Sequence, residues 1–164
     1  MGLPRERLNE PGMSASQGSA WVMNVTIPSD TSVGSELFQS LHEAMQQRGW
    51  SADLAFRVQL AYEEAIVNAI RHGNRFADDK TVDVSMLCDH DFLVIEITDM
   101  GAGFNPDEVP DPRAEDRLEI PGGRGVMLIH ELMSSVQYNE KGNSVRMRKD
   151  RSDSGPHAPR RSED

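Results

Sequence analysis

The chain holds a single cysteine, Cys88, among 164 residues, which excludes an internal disulfide framework and fits a reducing compartment. Aromatic residues make up only 5% of it, and cations are scarce: 17 Lys and Arg stand against 27 Asp and Glu, a formal charge of -10. That balance argues against nonspecific binding to nucleic acid or an anionic membrane and suits a basic partner surface. No run approaches the roughly 20 apolar residues of a membrane span, and the first residues lack the apolar core of a signal peptide, so a cytoplasmic protein is expected. Glu6 stands where a myristoylation motif needs Ser or Thr.

What is present reads as one domain. A content of 37% apolar and 27% charged residues is ordinary for a soluble globular chain of this length. Residues 1–19 and 150–164 are rich in Pro, Gly, Ser and charge. With little apolar surface to offset ordering entropy, they are expected as disordered tails around a domain over 20–149. Both ends are close to neutral, so the body carries the acidic excess.

Within that body, Trp21, Met23, Val25 and Ile27 alternate with Val22, Asn24 and Thr26 as in a strand, which Pro28-Ser29-Asp30 stops. Leu37, Leu41, Ala44 and Met45 recur at helical spacing up to Gly49. A second helix starts from Ser51 as N-cap, with Leu54, Val58, Ala61, Ala65, Asn68 and His72 on one stripe ending at Gly73. Val82, Val84 and Met86 and then Phe92–Thr98 read as strands joined by a hairpin at Cys88-Asp89-His90-Asp91. Residues 99–123 are polar and long for a connection. A helix is expected after Gly125, through Val126, Ile129, His130 and Met133, followed by short strands around Val136–Tyr138 and Val145–Met147.

Three segments carry groups suited to chemistry. Glu64 and Asn68 lie one helical turn apart, and a polar pair on an otherwise apolar helix needs an internal partner or a ligand. Glu63, about 100° round the helix, reads as a solvent-facing neighbour. The alternation of Leu93, Ile95 and Ile97 brings Asp99 onto the same strand face, ahead of Met100-Gly101-Ala102-Gly103-Phe104. Glycines there permit close approach to a flat ligand, and an exocyclic amino group such as adenine's would satisfy the carboxylate. Gly122-Gly123-Arg124-Gly125 opens a helix, whose free N–H groups and dipole favour phosphate.

Taken singly, each has an ordinary alternative: a solvated Glu with a backbone-bonded Asn, a strand-end turn, and glycines serving only a turn. Arg124 suits a phosphate, a partner or plain solvent, and His72 reads as a packed or hydrogen-bonded histidine. The order of the three is what has few bland explanations. Asn68 can give an oxygen to Mg²⁺, the Gly123–Gly125 backbone can hold phosphates, and Glu64 can accept a proton from an attacking hydroxyl.

Glu64-Ala-Ile-Val-Asn68, Asp99-Met-Gly-Ala-Gly-Phe104 and Gly123-Arg-Gly125 together resemble the ATPase superfamily of gyrase, the heat-shock chaperones, histidine kinases and mismatch-repair ATPases. In its small stand-alone form the chain is most similar to the bacterial anti-sigma-factor serine kinases, over nearly all of 20–149. The resemblance implies a two-layer α/β (α+β) sandwich with the Bergerat-type ATP-binding fold, helices on one face of a mixed, mostly antiparallel sheet, and a lid at about 105–122. It implies ATP and Mg²⁺ as cofactors, Asn68 as the Mg²⁺ ligand and Glu64 as the catalytic base. Asp99 would read the adenine amino group, with Gly101 and Gly103 shaping its pocket and Gly123, Arg124 and Gly125 on the phosphate side.

The implied activity is that of a protein serine/threonine kinase acting as an anti-sigma factor, which binds a sigma factor and phosphorylates an anti-anti-sigma (STAS-type) antagonist on serine. A homodimer is implied too, and the apolar first strand offers it an edge. The alternative is a nucleotide-gated regulatory binding module without kinase activity. Two departures from the family pattern stand out. Gly142 is followed by Asn143 and Ser144 where a Thr is usual, and the lid holds Asp107, Glu108, Asp111, Glu115, Asp116 and Glu119 against Arg113 and Arg117, a net -4 that suits ATP only if turned outward, toward a basic partner.

Overall fold

The computed structural model describes residues 20–102 and 123–153. The tail expected over 1–19, the lid over about 105–122, Gly103 and most of the C-terminal tail lie outside the described residues. The order of elements is β1 (Trp21–Pro28), α1 (Thr31–Gln47), α2 (Ala52–Val67), a π-helical turn (Asn68–Gly73), β2 (Thr81–Cys88), β3 (Phe92–Thr98), α3 (Gly123–Leu132), β4 (Ser135–Tyr138) and β5 (Ser144–Asp150).

The strands form one five-stranded sheet in the order β1-β2-β3-β5-β4, and each pairing among the described residues is antiparallel. Opposed residues share a face, so the register builds continuous apolar rows. Val25 faces Val84, which faces Ile97, which faces Val145; Met23, Met86, Ile95 and Met147 form the next row. The helices cover this face, and Leu41, Met45, Val58, Ile66, Ile70 and Ile129 complete the core on the helix side. The result is a two-layer α+β sandwich. Trp21, Met23 and Val25 are only partly buried, in keeping with the edge position of β1 in the sheet.

Local chemistry sets the element ends. Asp30 caps α1 by accepting the Ser32 N–H at 2.9 Å. Gly49 ends it with φ +81°, while the Gly49 N–H donates to the Gln46 carbonyl at 3.1 Å and the Trp50 N–H to that of Met45 at 3.0 Å. This is a Schellman closure, and it needs glycine at the left-handed position. Ser51 caps α2 through the Leu54 N–H at 3.1 Å. The Asp89 carboxylate holds the hairpin turn by accepting from the N–H groups of Asp91 and Phe92.

The long helix differs from its expected form at its end. Leu54, Val58, Ala61 and Ala65 are buried as the stripe requires, but the chain then widens into the π turn, and Ala69 and Ile70 take the buried positions. Asn68 and His72 are consequently half-buried at the border of the core rather than on its stripe. A second difference concerns Glu63. It accepts a hydrogen bond from the Ser35 hydroxyl of α1 at 2.8 Å, so it ties two helices instead of facing solvent.

Candidate functional site

Glu64 on the last turn of α2 and Asn68 at the start of the π turn stand side by side, both half-buried. No residue among those described donates to the Glu64 carboxylate or bonds the Asn68 amide. Opposite them lies the first turn of α3. A Cβ added at Gly125 would sit 2.6 Å from Glu64 Oε1 and 3.2 Å from Asn68 Nδ2. The glycine therefore lets Glu64 keep its present position, since a methyl group there would displace the carboxylate. The first N–H groups of α3 have no partner within their own helix, so the opening Gly123–Gly125 backbone presents donors and a positive dipole end close to two polar side chains that have no partner among the described residues. Arg124 belongs to this turn.

The second corner forms around Asp99, which leaves β3 next to the end of the π turn. A Cβ at Gly73 would overlap the Asp99 carboxylate, and one at Gly101 would overlap the Gly73 carbonyl. Two glycines from distant segments thus let the Asp-x-Gly loop lie directly on the helix terminus. The Gly101 N–H donates to Asp99 Oδ1 at 2.7 Å, whereas among the described residues nothing donates to Oδ2. Burial raises the Asp99 pKa above the ordinary carboxylate value, opposed by the Gly101 hydrogen bond and then by Lys141 and Lys80. A half-buried carboxylate with one oxygen unbonded among the described residues can accept from a ligand N–H.

The departure at Gly142-Asn143-Ser144 has a clear structural role. Asn143 Nδ2 donates to the Asp99 carbonyl at 2.7 Å, and the Asp99 N–H donates to the Asn143 carbonyl at 2.9 Å. The Ser144 hydroxyl lies 2.7 Å from that of its cross-strand partner Thr98. These side chains fix the strand end from which Asp99 projects.

The two corners sit at the two ends of the six-residue π turn, and wide turns of this kind are frequent at functional sites. His72 within it has its pKa lowered by burial and secondarily by Arg71, as a packed histidine does. Gly73 and Asn74 were not marked by sequence spacing as site residues, since a Gly-Asn pair after a helix reads simply as its stop; Asn143 stood out only as a departure from the family's last glycine box. Among the described residues no three His, Cys, Asp or Glu side chains gather as a metal cage. Mg²⁺ bound through one protein oxygen plus phosphates and waters needs none, and the Asn68 amide, without a partner among the described residues, fits that mode.

No helix among the described residues is long and apolar enough to cross a membrane. A family model for the histidine kinase-like ATPase domain matches residues 27–149. The chain is 31% identical over 120 residues to the serine-protein kinase RsbW of Listeria monocytogenes serotype 4a, covering 67% of this chain and 74% of that protein. It is 26% identical over 113 residues to the serine/threonine-protein kinase BtrW of Bordetella bronchiseptica, covering 68% and 79% respectively. With the matched region running from the end of β1 to the penultimate residue of β5 and holding both corners of the site, the chain belongs to the histidine kinase-like ATPase domain family and, within it, to the protein serine/threonine kinases.

Proposed function

We propose that this kinase transfers phosphate from ATP to a serine of an anti-anti-sigma (STAS-type) protein and acts as an anti-sigma factor through a complex with a sigma factor. The observation that carries the reading is the close approach of Gly125 to Glu64 and Asn68, where an added Cβ would meet both side chains; it joins a helix start suited to phosphate to a carboxylate and an amide that have no partner among the described residues.

In this reading ATP lies between the two corners. Asp99 accepts the adenine amino group with Gly101 and Gly103 lining the base pocket, while the N–H groups of Gly123–Gly125 hold the phosphates, assisted by the Arg124 guanidinium. Asn68 would hold Mg²⁺, which offsets phosphate charge when bound. Glu64 accepts the proton of the serine hydroxyl as its oxygen attacks the γ-phosphorus and the bond to ADP breaks. The acidic body, with its formal charge of -10, suits a basic surface on the partner. A homodimer through the exposed edge of β1 and a cytoplasmic location belong to the same reading.

Glu64→Ala is expected to abolish transfer while leaving ATP affinity within about threefold, since the lost group acts on the hydroxyl and not on the nucleotide. Labelled ATP incubated with the small soluble proteins of the cell, followed by phosphoserine mapping, identifies the substrate. Normal transfer by Glu64→Ala would remove the base assignment. Absence of any labelled serine while ATP still tightens partner binding would favour a nucleotide-gated binding module.

A further inference from the structure

Asn74 is almost fully buried, at 1% exposure. It lies one residue past the π turn, and its amide reaches three segments. Nδ2 donates to the Ser29 hydroxyl at 3.0 Å and to the Thr81 carbonyl at 2.9 Å, while Oδ1 accepts the Met100 N–H at 2.7 Å. The orientation of the amide is chemically fixed. The Thr81 carbonyl can only accept and the Met100 N–H can only donate, so a flipped amide would lose both bonds.

The backbone of Asn74 is equally constrained, its N–H donating to the Ala69 carbonyl of the π turn at 2.8 Å. Arg75 and Phe76 follow with φ of 55° and 58°, a left-handed pair that non-glycine residues adopt only where surrounding bonds hold them. Beyond Met100, whose Sδ also accepts from the Thr81 N–H at 3.2 Å, comes the Gly101 N–H that holds Asp99 Oδ1. The Asp99 side chain therefore hangs from a loop clamped on one side by Asn143 and on the other by Asn74.

We infer that Asn74 is a positioning residue for base recognition, fixing the Met100 amide so that the Asp99 carboxylate keeps Oδ2 turned into the base pocket. This rests on the reading of Asp99 as acceptor of the base amino group, and it goes further in assigning the aim of that carboxylate to a side chain outside the three motifs. Without the acceptor at Oδ1, the Met100 N–H is left unpaired in a half-buried place and the loop turns to satisfy it elsewhere. Asp99 then loses its single direction, and with it the ability to tell an amino group from a carbonyl.

The test compares dissociation constants for ATP and inosine triphosphate, which carries a carbonyl in place of the amino group. Wild type is expected to prefer ATP by at least about tenfold, because the carbonyl would face a carboxylate and leave it unpaired. Asn74→Ala, or Asn74→Ser should alanine prevent folding, is expected to bring that preference to within about threefold while affinity for inosine triphosphate stays near wild type. Ser29→Ala is the control: it removes a bond on the far side of Asn74, lowering thermal stability with the preference intact. If folded Asn74→Ala or Asn74→Ser keeps the full preference, or if both affinities fall together, the positioning role is refuted. A wild-type protein that binds both nucleotides equally would refute the Asp99 reading instead, a result distinguishable from the first.

Discussion

Gly125→Ala puts one methyl group into the corner where the start of α3, the proposed phosphate site, meets Glu64. An ordinary Cβ contact begins near 3.4 Å, and the added carbon would stand 2.6 Å from Glu64 Oε1, so the carboxylate must withdraw by about 0.8 Å. It has room to do so, being half-buried and without a partner among the described residues. Folding should tolerate the change. Alanine is the better helix former by about 0.5–1 kcal/mol, so the thermal midpoint is expected to hold or rise slightly. Catalysis should not tolerate it: displacement of a positioned group by about 1 Å costs on the order of 100-fold in rate. The Asn68 amide, 3.2 Å from the added carbon, needs to give by only a few tenths of an ångström. The assay follows phosphate transfer to the partner beside ATP affinity and the melting midpoint. Transfer at the wild-type rate by a folded Gly125→Ala protein would refute the idea that Glu64 must occupy this position for transfer.

Further outcomes follow from charge and burial. Asp99→Asn removes a carboxylate whose folded pKa is raised, and such a group loses stability as pH climbs from its unfolded value through the folded one. The variant should therefore be at least as stable as wild type at pH 7, with a flatter stability profile in the acidic range, yet bind ATP at least about tenfold more weakly. A clear fall in melting midpoint would contradict this. Burial pushes the Cys88 thiol and the Tyr138 hydroxyl up to about 12 and the Tyr62 hydroxyl higher still. Their stabilising contribution is complete below the unfolded values and declines as pH rises above about 9, so urea midpoints measured from pH 8 to 11 should fall steadily. Lys149 is fully buried on β5, and its ammonium donates to the Leu132 carbonyl at the C-terminus of α3 at 2.8 Å, with Asp153 at 3.8 Å. Lys149→Met should lower stability by about 1–3 kcal/mol by leaving that carbonyl unpaired, with ATP affinity unchanged because the proposed nucleotide site lies at the other end of the helix. Unaltered urea stability would show that the bond contributes nothing.

Much of the architecture was readable because its determinants are local. Alternation marked β1, β2 and β3, Ser51 and Gly49 marked helix ends through backbone N–H groups within a few residues, and the turn after Cys88 follows from one Asp carboxylate. Where the reading of the helix failed, the cause was also physical. A stripe drawn at 3.6 residues per turn carried Asn68 and His72 into the core, but the π turn adds width and moves Ala69 and Ile70 there. Glu63 was misplaced because its partner Ser35 lies 28 residues away on another helix.

The sequence by itself determined the identities at the site: a carboxylate and an amide four residues apart, an acid before paired glycines, and a glycine turn opening a helix. Residue type sets what each group can donate, accept or permit, and no fold is needed to know it. Only the tertiary structure decided which of these groups meet. It laid α3 so that Gly125 touches Glu64 and Asn68, set β5 between β3 and β4 so that Asn143 holds Asp99, and closed Asn74 onto Met100 across 26 residues. Such contacts depend on sheet register and helix packing fixed by the whole core, so no local pattern encodes them.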